Sequence, residues 1–181
     1  MWKVNQENLS LHTPIFDVVS VNKSSEKGNF NAVKLKCPNW VSAVIYNTDT
    51  KKFLLNKEYR HGIDDYCLEF PSGTVEENET PEQAILREVK EETGYDGEII
   101  CKLFSGNPNT AFMDNTQTCF YVEVSGEKDN THLDKFEDIN TVEIDNLFEI
   151  KDKLIGISHQ LAFEKYRRLK EALETTWIPQ V

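Results

Sequence analysis

The segment from Gly73 to Tyr95 constrains this chain most, because it marks both ends of a helix in local chemistry. Thr80 suits the N-cap, Pro81 suits the first helical position, Gln83 completes a capping-box pattern with Thr80, and Gly94 suits the stop. A helix from about Pro81 to Thr93 follows, with Ala84, Ile85, Leu86 and Val89 as its apolar stripe. On that helix Glu88, Glu91 and Glu92 stand at i, i+3 and i+4, which sets three carboxylates on one side of the rod. Like charges so spaced repel by roughly a few tenths of a kcal/mol per pair when exposed, and by more when buried. Taken alone, a glutamate-rich helix is usually a solvated face. The other resolution is a hard divalent cation, since Mg²⁺ prefers oxygen ligands and is held by one or two carboxylates together with substrate phosphates.

Around this helix the pattern is mainly of strands. Residues 40–46, WVSAVIY, are nearly continuous apolar, and residues 52–56 follow a Thr48-Asp49-Thr50 turn, so both read as central strands. Shorter strands are expected at 67–70, stopped by Pro71-Ser72-Gly73, at 97–104, at 118–124 and at 141–144. A second amphipathic helix is expected over 158–175, with Leu161, Ala162, Tyr166, Leu169 and Leu173 at helical spacing, and a short helix around 146–155. Residues 1–37 read as an arm with its own β character, containing a hairpin candidate that turns near Gly28-Asn29. The pattern divides the chain into an arm, 1–37, and a main α/β layered domain, 38–181.

Charge removes several classes of function. With 20 Lys and Arg against 31 Asp and Glu, the net charge is −11. No basic block is present, which disfavours nucleic-acid and anionic-membrane surfaces. The apolar runs are too short to span a bilayer, and the first residues lack a basic-then-apolar signal pattern, so a cytoplasmic setting is expected. Cys37, Cys67, Cys101 and Cys119 occur singly and read as reduced core residues. His12, His61, His132 and His159 share no metal-ligand spacing and read as surface or capping residues. Trp2, Trp40 and Trp177 read as core or interface residues, and Phe16 and Phe30 on the arm as candidates to stack on a base.

Gly73, Glu79, Arg87, Glu88, Val89, Glu91, Glu92 and Gly94, with Tyr95 at the final aliphatic site, resemble the signature box of the Nudix hydrolases at every required position. The parts have a physical logic. Gly73 permits a tight turn, Arg87 can pair with Glu79, and a helix presents its carboxylates from a rigid element. The resemblance implies a Nudix-type α/β/α sandwich with a mixed sheet and an N-terminal β arm. It also implies hydrolysis of a nucleoside diphosphate linked to another group, with Mg²⁺ or Mn²⁺ neutralising the diphosphate and activating water. Glu88 and Glu92 are implied as main metal ligands, Glu91 as a further ligand or the base, and the Ser72 carbonyl as completing the shell.

Lys57-Glu58-Tyr59-Arg60 and Leu68-Glu69-Phe70-Pro71-Ser72-Gly73 resemble pieces of the ADP-ribose pyrophosphatase branch, with Glu58 where a glutamine is usual. That implies ADP-ribose or a related nucleotide sugar as the small-molecule substrate, and AMP and ribose 5-phosphate as products. Arg60, Glu69 and, in the loop after the 97–104 strand, Pro108 are the implied substrate-binding residues. Arg60 would contact phosphate, since a guanidinium matches phosphate oxygens. The β arm resembles one that crosses to a partner, implying a homodimer. A catalytic base is expected in the acidic loop 126–138, where Glu137 is preferred and Asp134 is next; that polar loop is expected to move. A same-class alternative is another nucleoside diphosphate-linked substrate, such as a dinucleotide; the rival from another class is a nucleotide-sensing module without turnover. Its argument is weakened by the complete set of Glu88, Glu91 and Glu92.

Overall fold

Strand β4 (Trp40–Asn47) shows why its sequence is almost unbroken in apolar residues: alternate side chains enter two different cores. In the computed structural model, which describes residues 1–133, 135 and 137–176, Val41, Ala43 and Ile45 enter one buried cluster and Val44 enters the other. Strands β5 (Lys52–Arg60) and β9 (Gln117–Val124) divide in the same way. Leu54, Phe120, Val122 and Val124 join the first cluster, while Phe53, Leu55, Cys119 and Tyr121 join the second. Helix α1 (Pro81–Thr93) covers the first face with Ala84, Ile85 and Val89; helix α2 (Ile157–Thr176) covers the second with Ala162 and Phe163. A strand buried on both faces has no polar side to show, which is the reason for the continuous run.

Among the described residues the main sheet has seven strands. Its path runs β10 (Ile139–Ile144), β5, β4, β9 and β8 (Gly97–Gly106), with β6 (Asp65–Glu69) beside β5 and β7 (Ser72–Thr74) beside β4. The β4–β9 pair is parallel and the others are antiparallel, so the expected mixed sheet between helices is present. The caps of α1 are also as expected. Gln83 N–H donates to Thr80 Oγ1 at 3.2 Å, Thr80 N–H donates to Gln83 Oε1 at 2.9 Å, and Gly94 ends the helix at φ 79°.

The arm forms a separate three-stranded antiparallel sheet, β1 (Lys3–His12), β2 (Asp17–Ser25) and β3 (Gly28–Lys36). Its β2–β3 hairpin is the expected one, but β1 is an additional strand whose residues are all exposed. Exposure on both faces removes the apolar alternation by which a strand is read from sequence. The arm meets the body where Leu35 N–H donates to the Phe112 carbonyl at 2.7 Å and Lys34 pairs with Asp114 at 3.1 Å.

Other expectations need correcting. The short helix near 146–155 is instead two 3₁₀ turns, Leu147–Glu149 and Lys151–Lys153, broken at Ile150, which has φ −117° and ψ 1°. Leu147, Ile150 and Leu154 are nevertheless buried, so their spacing reflected core contact rather than a continuous helix. Trp2 is 48% exposed against Phe30, and Trp40 is half-buried; Trp177 lies outside the described residues. Of the four free cysteines, Cys67 and Cys119 are buried, while Cys37 and Cys101 are half-buried.

Candidate active site

Three elements meet at one cavity of about 1030 Å³. Strand β7 brings Ser72 and Gly73, α1 brings Glu88, Glu91 and Glu92, and the end of β5 brings Glu58, Tyr59 and Arg60. The loop before β10 adds His132, Lys135, Glu137 and Asp138, and the β1–β2 turn adds Pro14 and Ile15. The volume is at the upper end of small-molecule sites.

Arg87 organises the near wall. Its Nε donates to Glu79 Oε1 at 3.0 Å and its Nη2 to Glu79 Oε2 at 3.1 Å, a two-pronged pair that ties the preceding loop to the helix. Its Nη2 also reaches the Thr74 carbonyl at 2.9 Å, and its Nη1 reaches Glu88 Oε1 at 2.9 Å and Glu91 Oε2 at 3.0 Å. Glu92 is turned elsewhere: it is 3% exposed, and Asn56 Nδ2 donates to its Oε2 at 2.9 Å. Hence the three helix carboxylates share one side of the rod, but Glu88 and Glu91 share the Arg87 Nη1 donor while Glu92 is held apart by Asn56. Among the described residues, no three acidic, His or Cys side chains converge to hold one ion.

The electrostatics still favour cations. Burial pushes the Glu92 carboxyl well above the usual carboxylate range, and the charges of Glu88, Glu58 and Glu137 push it further against the Asn56 hydrogen bond. Glu88 is also raised, by burial first, with Arg87 opposing and Glu91 and Glu137 adding to it. Glu58 is raised to about 7 by burial, although Arg60 pulls down, because Glu69 and Glu137 lie nearby. Carboxylates in one cavity that disfavour one another's ionisation are the donor chemistry a hard divalent cation relieves. Gly73 supplies the close approach: a Cβ there would stand 1.9 Å from Glu88 Oε1.

Arg60 lies between two acids. Its Nη1 is 2.6 Å from Glu58 Oε1, while its Nε and Nη2 donate to Glu69 Oε2 at 2.9 and 2.5 Å. Burial works to raise Glu69, but the neighbouring His159 ring and the hydrogen bonds from Arg60 outweigh it and bring the carboxyl down to about 2. A second cavity of about 400 Å³ adjoins the first and shares Arg60, Ser72, Gly73 and Thr74 with it. Trp40, Gln117 and the start of α2 form its other walls.

The structure therefore gathers Ser72, Gly73, Arg60, Arg87, Glu88, Glu91, Glu92 and Glu137 at the large cavity, with Glu69 on the adjoining one. Glu79 stands behind as the partner of Arg87, and Gly94 closes the helix. Pro108 lines neither cavity, and neither do Phe16 and Phe30; among the described residues Tyr59 brings an aromatic ring to the large one. Asp134 lies outside the described residues. In the acidic segment, Asp129 N–H donates to the Gly94 carbonyl at 2.9 Å and His132 N–H to the Glu91 carbonyl at 2.8 Å. Those carbonyls end the helix and have no partner within it.

Sequence reading missed Asn56 and His159. Asn56 follows Phe53-Leu54-Leu55, and one amide closing an apolar run in the middle of β5 was the available signal. His159, expected at the surface or as a cap, is 6% exposed and bonded within the Glu69 network.

The NUDIX domain family model matches residues 38–162. The chain is 29% identical over 136 residues to the ADP-ribose pyrophosphatase of Bacillus subtilis, covering 73% of this chain and 74% of that one. It is 31% identical over 136 residues to the methanol dehydrogenase activator of Bacillus methanolicus, with the same coverage of 73% and 74%. The crystal structure of an ADP compounds hydrolase superposes with a TM-score of 0.78 over 95% of both chains at 17% identity, a likeness of fold. With the family model spanning both cores and the carboxylate helix, the chain belongs to the Nudix hydrolase family, on its ADP-ribose pyrophosphatase-like branch.

Proposed function

We propose that this protein hydrolyses the diphosphate bond of ADP-ribose or a related nucleoside diphosphate sugar, releasing AMP, or the corresponding nucleoside monophosphate, and a sugar phosphate. The carrying observation is the cavity that gathers Glu58, Glu88, Glu91 and Glu92 beside the Gly73 cradle, where burial favours the neutral form of Glu58, Glu88 and Glu92. Members of the family generally use divalent cations, and Mg²⁺ or Mn²⁺ is the proposed cofactor. When bound, such ions neutralise the diphosphate and lower the pKa of the attacking water.

In this reading Glu88 and Glu92, with Glu91 and the Ser72 carbonyl, would hold the cations. Arg60 would orient the diphosphate, because it faces the large cavity and offers a planar fork of donors. Glu137 is the proposed base: it lines the cavity, and its charge is felt by Glu58, Glu88 and Glu92. Glu91 is the second candidate, half-buried and tied to Arg87.

The arm, 1–37, is proposed as a dimerising unit with a second copy of the chain, since Trp2, Val4, Leu9, Leu11, Phe30 and Val33 are exposed on it. A cytoplasmic setting is supported by four free thiols. No helix among the described residues is long and apolar enough to cross a membrane.

The test is product analysis with ADP-ribose and Mg²⁺. AMP and ribose 5-phosphate are expected, and Glu92→Gln should lower kcat by about 10²-fold or more with the fold retained. Absence of hydrolysis across a panel of nucleoside diphosphates with either metal would favour the sensor reading. Light scattering should give a dimer; a monomer overturns that part.

A further inference from the structure

His159 sits in the first turn of α2 with both ring nitrogens engaged. Phe70 N–H donates to Nδ1 at 3.3 Å, so Nδ1 serves as an acceptor and the proton of the neutral ring lies on Nε2. Nε2 is 3.5 Å from Glu69 Oε2, a polar contact within ion-pair distance. That same oxygen accepts from Arg60 Nε and Nη2. A continuous chain of contacts thus runs from α2, through the last residue of β6, to the guanidinium at the end of β5. The turn before the helix is shaped for the ring, since a Cβ on Gly156 would stand 2.7 Å from His159 Cδ2.

Arg60 has competing partners. Glu58 holds Nη1 from one side at 2.6 Å, and Glu69 holds the other edge. With nothing behind it, Glu69 could follow the guanidinium into any rotamer; with His159 and the Phe70 amide behind it, its Oε2 has a fixed place. A side chain whose own rotamer is locked from behind loses less entropy when it binds a phosphate.

We infer that His159 is a positioning residue, which through Glu69 directs Arg60 at the diphosphate of the substrate. The inference rests on the proposed role of Arg60 as the diphosphate contact. It assigns His159 ground-state binding, so its loss acts on KM more than on kcat.

The experiment is a set of variants in the full-length protein. His159→Leu should raise KM for ADP-ribose about 5- to 20-fold with kcat within about twofold. His159→Gln, whose side-chain amide nitrogen reaches the place of Nε2, should restore KM to within about threefold of the parent. Gly156→Ala, which displaces the ring without removing it, should raise KM in the same direction. In an Arg60→Ala background His159→Leu should add nothing, because the group it positions is gone. An equal KM rise with and without Arg60, or a loss confined to kcat, overturns the inference and leaves His159 a packing residue. If the parent protein turns over no substrate, the functional reading fails separately. The same double-mutant cycle is then read from ADP affinity by calorimetry, where additivity of the two losses overturns the inference and non-additivity supports it.

Discussion

The Glu88 carboxylate occupies the space that a Cβ at position 73 would need, with Oε1 1.9 Å and Cδ 2.0 Å from the ideal Cβ site. The obstructing atoms are the end of a flexible side chain, so Gly73→Ala can be absorbed by swinging Glu88 away. The fold should survive with a Tm change of only a few degrees, while activity with Mg²⁺ falls by about 10²-fold or more as a proposed ligand is displaced. Thermal melts and steady-state rates on one preparation check this. An active alanine variant would show that Glu88 need not stand where it does.

Arg87 joins the loop to the helix through Glu79, the Thr74 carbonyl, Glu88 and Glu91. Arg87→Met should cost about 2–3 kcal/mol, since it strips a fork of donors from partly buried acids. Arg87→Lys should recover only part, because an ammonium cannot make the two-pronged pair with Glu79. Urea unfolding without metal measures both.

Asn56 is 1% exposed, donates to Glu92 and accepts from Thr141 Oγ1 at 3.3 Å. Asn56→Asp sets a second carboxyl against a buried one and should destabilise the metal-free protein by about 1–3 kcal/mol. Millimolar Mg²⁺ should return a larger part of that loss than it adds to the parent. Equal metal effects on both proteins would place the cation elsewhere.

Stability of the metal-free protein should fall as pH rises through the neutral range. Glu58 moves from an ordinary 4.5 to about 7 on folding, and Glu88 and Glu92 move in the same direction. A carboxyl with a raised pKa binds more protons in the folded chain, so its favourable contribution is complete below about pH 4.5 and is lost by about pH 7. Glu69 has the opposite sign, but its contribution changes only below about 4.5, toward 2. Calorimetric Tm should therefore drop by about 4 °C or more between pH 5.5 and 8. Mg²⁺ should raise Tm more at pH 8, where the ligands are ionised. A Tm that is flat across this range, or a metal effect larger at pH 5.5, contradicts the reading of the cluster.

Local chemistry was legible in the residues. Helix α1 begins and ends where Thr80, Pro81 and Gly94 place it, because a cap is a contact within four residues. The two-sided burial of β4 followed from its unbroken apolar run, and the Arg87–Glu79 pair from the residues of the resembled box. The carboxylate side of α1 was visible because helical periodicity is a property of the chain itself.

What the tertiary structure alone decided are partnerships between residues far apart in the chain. Asn56 meets Glu92 across 36 positions, and the Phe70 amide meets His159 across 89. The Asp129 and His132 amides take carbonyls at the end of α1 that any donor could have taken. Arg60 is shared by Glu58 and Glu69 because β6 lies beside β5, with Arg60 opposite Asp65 and Glu58 opposite Cys67. Sequence periodicity states which face a side chain occupies; which group waits opposite, and how far burial there raises a carboxyl pKa, depends on how the layers close.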